Sequence, residues 1–466
     1  MQRKLFAGPK IRALRTARHW RLERCAQALG VSVSYLSQIE TNQRPVTARL
    51  LLALTDVFGV SASSLDADDD QRLVSDLREA LSDANLGGDQ VPISELRQAA
   101  VHAPGLVRSF LEVHRAYRRL DERLKVADQA VGLDESAAAS SLLPYEEVRD
   151  FFHFKDNYIH SLDTAAESLA ETIAANGVGE TGLAAFLRDR LGVRVSHDAA
   201  GDVLRRYDPL TRRLTLNPAQ GPQSRGFQMA YQIASLLLAE PIEKELALAG
   251  LRSEEARDVC RVGLGNYAAG ALLMPYRRFA DDAEAVRHDV ERLAQRFDVS
   301  LEQVCHRLST LQRPGDRGLP FYFVRTDYAG NITKRHSATR FSFARFGGSC
   351  PLWNIHEATS APDRFLVQLA EMPDGVRYIC VARSVVKRSG SYSVPDRRYV
   401  LGLGCEVDHA DRLIYADGVD RSGPAAPIGV SCRICERNHC SQRAFPPVDR
   451  RLTVMPNERE VVPFRL

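Results

Sequence analysis

The segment from Ser32 to Glu40 constrains the fold of this 466-residue chain more than any other part of it. Gly30 stands just before the segment and supplies the permissive backbone that a tight turn between two helices needs. Ser32 is a favoured residue for capping the N-terminus of a helix. The apolar residues that follow recur at helical spacing, namely Val33, Leu36 and Ile39. The segment therefore predicts a short helix that buries one face and presents hydroxyl and amide groups on the other.

Helical apolar spacing on both sides of this segment predicts a small bundle of five helices. A first helix is expected from about Pro9 to Trp20 and a second from Leu22 to Leu29, and apolar residues from Leu50 to Phe58 can close the core. Residues 1–65 contain ten lysines and arginines and three acidic residues, a net charge of +7, whereas the whole chain has a net charge of +3. A basic head on a nearly neutral chain predicts a polyanionic partner.

The order of residues from Gly30 to Arg44 resembles the Cro/C1 (XRE) class of helix-turn-helix proteins. That resemblance implies that the second helix of the motif lies in the major groove of double-stranded DNA. Side chains on its outer face would contact bases or sugars, and the residues after it would grip phosphate. The residues expected at the DNA are Ser32, Ser34, Tyr35, Gln38, Asn42 and Arg44. The alternative is a generic helical bundle that binds protein.

Changes in composition divide the rest of the chain. An acidic run begins at Asp66, a serine- and alanine-rich stretch begins at Ser136, and a glycine-rich joint begins at Gly315. We therefore expect a DNA-binding domain at 1–66, a helical linker or dimerisation segment at 67–144, and two further domains at 145–314 and 315–466. Apolar residues in the linker recur at the spacing of a two-helix seam, namely Phe110, Val113, Tyr117, Leu120 and Leu124. The seam serves either a homodimer or packing within one chain.

A long apolar helix is expected at 225–238, after a helix and two strands joined through Asp208. This succession resembles the zinc-dependent peptidase-like domains that are fused to Cro/C1 heads. The metal helix of those domains carries His-Glu-x-x-His, which supplies two imidazole ligands and a carboxylate base. Tyr231, Gln232 and Ser235 stand at those three positions here, which argues against zinc hydrolysis. We expect the remaining pocket to hold a small molecule, with Tyr231 and Gln232 in its lining.

Nine cysteines are an odd number, and their scatter along a long chain argues against a disulfide framework. Three of them form a C-x2-C-x4-C cluster, namely Cys432, Cys435 and Cys440. Thiolates at this spacing can clasp one metal centre from a tight loop. Cys350, in a glycine-rich loop, is the expected fourth ligand, and His439 is the alternative. Zinc and a [4Fe–4S] cluster both satisfy this donor set, and unligated buried thiols are the remaining alternative.

Two further blocks are distinctive, one from Phe346 to Trp353 and one from Ile428 to Pro447. Together with the Cro/C1 head and the altered peptidase-like helix, they resemble the short-chain fatty acyl-CoA regulator family over essentially the whole chain. The resemblance implies an acyl-CoA effector and, in some relatives, an iron–sulfur cluster on the cysteines. A coenzyme A site needs basic groups for phosphates and an apolar slot for the acyl chain. The candidate ligand residues are Tyr231, Gln232, Arg307, Arg340, Phe343 and Arg345.

We therefore predict a multidomain chain that is mainly α with α+β parts. Its parts are an N-terminal five-helix bundle, a helical linker, a degenerate metallopeptidase-like α+β domain and a C-terminal α+β sensor domain with a cysteine-ligated metal site. The predicted function is a cytoplasmic, homodimeric, non-enzymatic transcriptional regulator of propionate, acetate or glyoxylate-type metabolism, with an operator affinity that responds to acyl-CoA. We expect neither a membrane span nor a secretory signal. The alternatives are a redox- or iron-sensing transcription factor and a metalloprotease that cleaves a repressor.

Overall fold

The computed structural model divides the chain into two compact units. The first unit comprises Met1–Lys125 with Pro446–Leu452 and Leu466, and the second comprises Val126–Phe445 with Thr453–Arg465. The residues described are 7–18, 20–41, 43–58, 68–81, 91–129, 142–174, 179–198, 203–341, 343, 348–447, 452–455, 457–462 and 464. Within these residues, none of the helices combines the length and the apolar character that crossing a membrane requires.

Four helices form the head of the first unit: α1 (Gly8–Ala17), α2 (Leu22–Ala28), α3 (Val33–Glu40) and α4 (Ala48–Phe58). Gly30 has a φ of +66° and makes the turn from α2 into α3. Leu36 and Ile39 of α3 are fully buried in the core of the head, whereas the expectation that Val33 shares this buried stripe is wrong, because Val33 is 40% exposed in the first turn of the helix. The helix-turn-helix expected from the sequence is therefore confirmed. The fifth predicted helix is not found in the described part of the head, because residues 59–67 lie outside it and the next helix packs in another core.

Three more helices follow in the chain: α5 (Asp68–Leu81), α6 (Ile93–His102) and α7 (Pro104–Gln129), and α7 belongs to the first unit as far as Lys125. They share an apolar core of their own. The residues of the predicted two-helix seam on α7 have different surroundings. Phe110 is partly buried against this core, whereas Val113 is 67% exposed and Tyr117 is also exposed. The side chains of Leu120 and Leu124 lie outside the described residues. The part of α7 that can be described thus uses one seam residue inside the unit and leaves two at the surface.

The second unit begins with helices around a small sheet. The elements are α8 (Leu142–Phe154), α9 (His160–Ala174), α10 (Gly179–Leu191), β1 (Arg194–His197), β2 (Arg205–Asp208), β3 (Arg213–Leu216), α11 (Pro222–Leu237), α12 (Ala239–Leu248) and α13 (Glu254–Leu273). The sheet has the order β1-β3-β2, in which β3 pairs parallel to β1 and antiparallel to β2. Helix α11 packs against both α10 and α13. The strands and the long apolar helix thus follow the order expected for a metallopeptidase-like domain.

Three helices and a six-stranded sheet complete the second unit. The elements are α14 (Tyr276–Ala285), α15 (Val290–Phe297), α16 (Leu301–Ser309), β4 (Gln312–Arg313), β5 (Asp316–Arg317), β6 (Tyr322–Asp327), β7 (Ile332–Ser337), β8 (Leu366–Glu371), β9 (Arg377–Lys387), β10 (Arg397–Glu406) and β11 (Ala426–Pro427). The large sheet has the order β11-β8-β9-β10-β6-β7, and its pairs are antiparallel apart from β11 with β8. Alternate residues of β6 enter different cores, since Phe323 packs with α14–α16 and Tyr322 packs with Trp353.

Candidate functional site

The outer face of α3 carries the residues that the sequence assigns to DNA contacts. Ser34 is exposed, and Tyr35 and Gln38 are partly exposed. The guanidinium carbon of Arg44 lies 5.8 Å from the centre of the Tyr35 ring, which is within the range of a cation–π contact. Asn42 lies outside the described residues. The structure thus places a hydroxyl, a phenol and an amide side chain on one helix, with a cation just beyond its C-terminal end.

Arg15 of α1 fixes the orientation of α3 through an ion pair with Glu40. Its Nε donates to Oε1 of Glu40 at 2.6 Å, and its Nη2 donates to Oε2 at 2.9 Å. Nη1 donates to the backbone oxygen of Trp20 at 2.9 Å. The hydrogen bond that Arg15 donates to Glu40 raises the pKa of the Arg15 guanidinium. This paired bond ties the last residue of α3 to α1, so that the outer face of α3 is held at a fixed angle.

Ser32 caps α3, and its replacement by alanine tests that role. Its Oγ accepts a hydrogen bond from the backbone N–H of Tyr35 at 3.2 Å. The Ser32→Ala change should lower the free energy of unfolding of the head by about 1 kcal/mol, because one N–H at the helix start loses its partner. Thermal unfolding followed by circular dichroism measures the loss. Ser34→Ala is the control, since Ser34 is exposed, and equal losses in both variants would contradict the cap.

The helix that would carry a peptidase's zinc ligands is α11. The ring of Tyr231 lies so close to α13 that a Cβ at Gly265 would come within 2.8 Å of it. The guanidinium carbon of Arg205 lies 3.6 Å from the centre of the same ring. Gln232 is 5% exposed, and Oγ of Ser235 donates to the backbone oxygen of Tyr231 at 2.8 Å. The side chains at the three positions are therefore engaged in packing, in a cation–π contact and in a hydrogen bond within α11.

Arg307, assigned to a ligand from the sequence, is instead bound inside the protein. It is 2% exposed, and its Nη1 and Nη2 donate to the two oxygens of Asp163 at 2.7 and 3.0 Å. Its Nε donates to the backbone oxygen of Met274 at 2.9 Å. Tyr267 also donates to Asp163, at 2.6 Å. The sequence expectation for Arg307 is corrected here, because its guanidinium is committed to a buried carboxylate that links α9, α13 and α16.

The remaining candidate ligand residues lie in the C-terminal part of the second unit. Phe343 packs against the aromatic core, with its ring centre 5.2 Å from that of Phe341. Arg340 is partly buried, with its Nε 3.8 Å from an oxygen of Glu406. Arg345 lies outside the described residues. Phe343 and Tyr231 belong to different cores, so the structure does not gather the predicted ligand residues into a single cluster.

Three of the four predicted metal ligands lie near one another. Burial raises the pKa of the Cys350 thiol, backbone hydrogen bonds from Gly429 and Leu352 lower it, and the neighbouring Cys432 and Cys435 raise it further. Cys432 and Cys435 are partly exposed, as is Cys440. Across the described residues, no three histidine, cysteine or acidic side chains are arranged as a metal-binding group. The spacing therefore predicted a neighbourhood of thiols, whereas an assembled metal site is not seen.

Two arginines hold the loop that carries these cysteines. Arg437 donates to the backbone oxygens of Ile428 at 3.3 Å and Glu371 at 2.5 Å. Arg443 is 8% exposed, and it donates to the backbone oxygen of Cys432 at 3.2 Å and to that of Arg437. These contacts hold the loop through its backbone and fasten it to Glu371 at the end of β8.

Three family models match successive parts of the chain. "Helix-turn-helix" matches residues 11–65, "IrrE N-terminal-like domain" matches 188–309, and "Short-chain fatty acyl coenzyme A regulator, C-terminal" matches 310–464. A propionyl-CoA carboxylase regulator of Cereibacter sphaeroides is 49% identical over 470 residues, which cover 100% of both chains. The chain belongs to the short-chain fatty acyl-CoA regulator family.

Other members of this regulator family support the assignment. The HTH-type transcriptional regulator RamB of Mycobacterium tuberculosis is 43% identical, over 99% of this chain and 98% of its own. The HTH-type transcriptional regulator PrpR of the same organism is 42% identical, over 98% of this chain and 95% of its own. A solved structure named "Mycobacterium tuberculosis transcriptional regulator" has a TM-score of 0.66 and 46% identity, and covers 69% of this chain and 99% of that chain.

The comparisons also bear on the peptidase-like domain of this chain. The matched relatives are named as regulators and not as peptidases. Tyr231, Gln232 and Ser235 replace the residues of a zinc-binding helix in the region that matches the IrrE model. A peptidase fold that has lost its ligands and its general base is consistent with a regulatory scaffold.

The sequence did not reveal Arg15 or Asp163, although their ion pairs hold α3 and α16 in place. Glu40 carried a signal, because an acidic residue next to the apolar stripe of a short helix needs a buried partner. Asp163 carried no comparable signal, since its partner Arg307 lies 144 residues further along the chain.

Proposed function

We propose that this chain is a sequence-specific DNA-binding transcriptional regulator of short-chain acyl-CoA metabolism, and that acyl-CoA binding sets its affinity for the operator. The observation that carries the proposal is the full-length identity of 49% to a propionyl-CoA carboxylase regulator. The polar outer face of α3, held by the Arg15–Glu40 pair, supports the DNA-binding part. The C-terminal match to a short-chain fatty acyl coenzyme A regulator supports the effector part.

The proposed mechanism is a shift between two states of the protein. An acyl-CoA that binds one state more tightly raises the population of that state, and operator affinity follows it. Helix-turn-helix regulators commonly bind pseudo-palindromic sites as dimers. The exposed Val113 and Tyr117 on α7 are the proposed homodimer contact. Tyr231, Gln232, Arg340, Phe343 and Arg345 remain proposed effector contacts.

Operator affinity with and without effector tests this function. The operator is first selected from random duplexes with the full-length protein, and its Kd is then measured by fluorescence anisotropy at one fixed salt concentration. Propionyl-CoA or acetyl-CoA should change the Kd about 5- to 150-fold, the usual range of allosteric coupling. Free coenzyme A and the free acids, propionate and acetate, serve as controls for the two halves of the effector. An operator Kd that does not change with any short-chain acyl-CoA would contradict regulation by an acyl-CoA effector.

The cysteine loop is the proposed site of a [4Fe–4S] cluster, with zinc as the alternative. The donors suit either group in kind, since Cys350 lies near Cys432 and Cys435 and two arginines flank the loop. Cys440 would be the fourth ligand, and it would have to approach the other three. A bound cluster would supply a redox-active and iron-dependent group, which makes iron or redox sensing the second candidate function.

Cys435→Ser tests the loop directly. Protein purified without oxygen should absorb broadly in the visible range if a cluster is present, and the variant should lose that absorption together with most of its bound iron. Cys260→Ala is the control, because Cys260 is fully buried in the core of the peptidase-like domain. Metal analysis distinguishes iron from zinc. Full metal content in Cys435→Ser would show that the ligand assignment is wrong.

A further inference from the structure

Three polar side chains of the second unit, Asn157, His306 and His336, meet where β7 lies beside α16 and the turn after α8. We call them the imidazole seam. Nδ1 of His336 and Oδ1 of Asn157 are 2.9 Å apart and share a hydrogen bond. The rings of His306 and His336 are nearly perpendicular, with centres 4.5 Å apart. Both histidines are partly exposed, so the seam can be reached from solvent.

The side-chain amide nitrogen of Asn157 is a buried donor without an acceptor among the described residues. Asn157 is 3% exposed, and its Nδ2 has no hydrogen-bond partner among the described residues. Exchanging the amide oxygen and nitrogen would not help, because one of the two atoms would still lack a partner. A buried polar group without a protein partner is uncommon in folded proteins, and a bound molecule, ion or ordered water usually satisfies it. Nδ2 of Asn157 is therefore a hydrogen-bond donor in the seam that a bound molecule can satisfy.

The turn that carries Asn157 is held in an unusual backbone conformation. Asp156 and Asn157 follow each other with φ values of 50° and 56°, in the left-handed region that side chains other than glycine rarely adopt. The backbone N–H of Asn157 donates to the oxygen of Phe152 at 2.9 Å, which ties the turn to the end of α8. Such conformations are concentrated at ligand clamps and active sites. The turn thus aims the Asn157 side chain into the seam.

The charges around the seam are predominantly positive. The groups that act most strongly on His336 after burial are His306, Lys334, Arg149 and His153. Burial and these neighbours hold the pKa of His336 well below its ordinary value, so that its ring is neutral at pH 7. Burial likewise lowers the pKa of His306. Neutral imidazoles and an amide can donate hydrogen bonds to an anion and can gain a proton when one arrives.

A second cationic group adjoins the seam through Lys334. Its Nζ lies 2.8 Å from an oxygen of Glu302, and the same carboxylate also binds Arg325 at 2.7 Å and Lys387 at 2.6 Å. One carboxylate cannot balance three cations, so a net charge of +2 remains beside the seam. Glu302 is 7% exposed, whereas the side chains of both lysines are more than 40% exposed and can face a ligand.

The geometry points to a phosphate-binding site in the imidazole seam, where Nδ2 of Asn157 and the N–H of His306 donate to a phosphoryl oxygen and Lys334 supplies charge. Nδ1–H of a neutral His336 already donates to Oδ1 of Asn157, so His336 donates to the phosphate only from Nε2, once that atom has gained a proton. Two sources carry that chemistry, namely a phosphate of a coenzyme A ester and free inorganic phosphate. The choice of the first source rests on the proposed function. The phosphate chemistry itself does not, because it follows from the orphaned donor and the surplus of positive charge.

Phosphate binding should be accompanied by proton uptake. An anion beside a neutral imidazole raises the pKa of that imidazole, so binding should tighten as the pH falls. The titratable and charged groups that face the two rings are Arg149, His153, Glu302, Arg307 and Lys334.

The test compares Asn157→Gly with Asp156→Gly in the full-length protein. Glycine tolerates the left-handed backbone at both positions, so each variant keeps the turn, but only the first removes the seam amide. Isothermal titration with coenzyme A, dephospho-coenzyme A, pantetheine and inorganic phosphate gives the affinities. Titration in two buffers of different ionisation enthalpy gives the protons taken up. His336→Gln is the second seam variant, and it should abolish part of the proton uptake.

The outcomes separate the seam from the effector. A loss of 10-fold or more for coenzyme A and phosphate in Asn157→Gly and His336→Gln, with pantetheine and Asp156→Gly unaffected, supports a seam that holds a phosphate of the effector. A loss for inorganic phosphate alone supports the seam with free phosphate as its ligand. Unchanged affinities for both ligands in both seam variants overturn the proposal, even where acyl-CoA still shifts operator binding. Absence of coenzyme A binding to the native protein rejects the effector, and the phosphate titration still decides the seam.

Discussion

Replacement of Arg307 by alanine is expected to lower the free energy of unfolding of the second unit by about 3–5 kcal/mol. The change removes both hydrogen bonds to Asp163 and leaves that carboxylate buried with no cation bonded to it. Arg313 does not replace it, because its Nη2 lies 3.7 Å from Asp163 and binds Glu167 at 2.8 Å. The loss is large because a charge taken out of water needs a partner.

The dependence of this loss on pH identifies its cause. In the native protein, burial acts to raise the pKa of Asp163, but Arg307 and Tyr267 outweigh it and hold that pKa below its ordinary value. A lowered pKa contributes stability above the ordinary pKa of the group, and the contribution is lost as the pH falls through the folded-state pKa. In Arg307→Ala, burial dominates and raises the pKa of Asp163. The difference between the two proteins should therefore shrink as the pH falls from 7 to about 4.

Denaturant unfolding of three variants measures this effect. Arg307→Ala is compared with Arg261→Ala, which breaks an exposed ion pair to Glu243 and should change stability by less than about 1 kcal/mol. Arg307→Met combined with Asp163→Leu removes both charges, so it should lose less stability than Arg307→Ala. Equal losses in this double variant and in Arg307→Ala, unchanged between pH 7 and pH 4, would show that packing, and not the ion pair, is responsible.

Replacement of Gln38 by alanine is expected to weaken operator binding by about 5- to 150-fold, or 1–3 kcal/mol, because a side-chain contact to a base edge is lost. Affinity for unrelated DNA should stay within about twofold, since non-specific binding depends mainly on phosphate contacts. Arg44→Ala should weaken binding to both kinds of DNA and reduce the slope of log K against log salt by about 1. The two variants thus separate base contacts from phosphate contacts.

Fluorescence anisotropy with the selected operator and a scrambled duplex, at four salt concentrations, provides these values. Gln27→Ala is the matched control, because Gln27 is an exposed glutamine on α2. A Gln38 variant that weakens both duplexes equally would assign Gln38 to phosphate. A loss of thermal stability in that variant would assign its effect to the fold of the head.

Helix α3 could be predicted because the residues that determine it are close together in the sequence. Gly30, Ser32 and the apolar stripe specify a turn, a cap and a buried face within ten residues of one another, and the structure contains all three. The order of elements in the second unit was predictable for a similar reason, since β2 and β3 form a hairpin that is local in the sequence.

The sites inside the second unit could not be predicted, because distant segments create them. A basic residue in a sequence does not reveal its partner, and Arg307 suited a phosphate as well as a carboxylate until the fold placed Asp163 beside it. Asn157 and His336 are 179 residues apart, and neither belongs to a recognisable motif. Cysteine spacing predicted that Cys432 and Cys435 share one loop, but the positions of Cys350 and Cys440 depend on loop conformations that spacing does not specify.

The affinity of propionyl-CoA for the free protein and for the operator-bound protein tests the central claim most directly. Linkage requires that the operator change the effector's affinity by the same factor by which the effector changes the operator's. Isothermal titration of propionyl-CoA into the protein, with and without saturating operator, measures that factor. We expect two affinities that differ about 5- to 150-fold and match the anisotropy ratio. Equal propionyl-CoA affinities in the two titrations would contradict regulation of DNA binding by acyl-CoA.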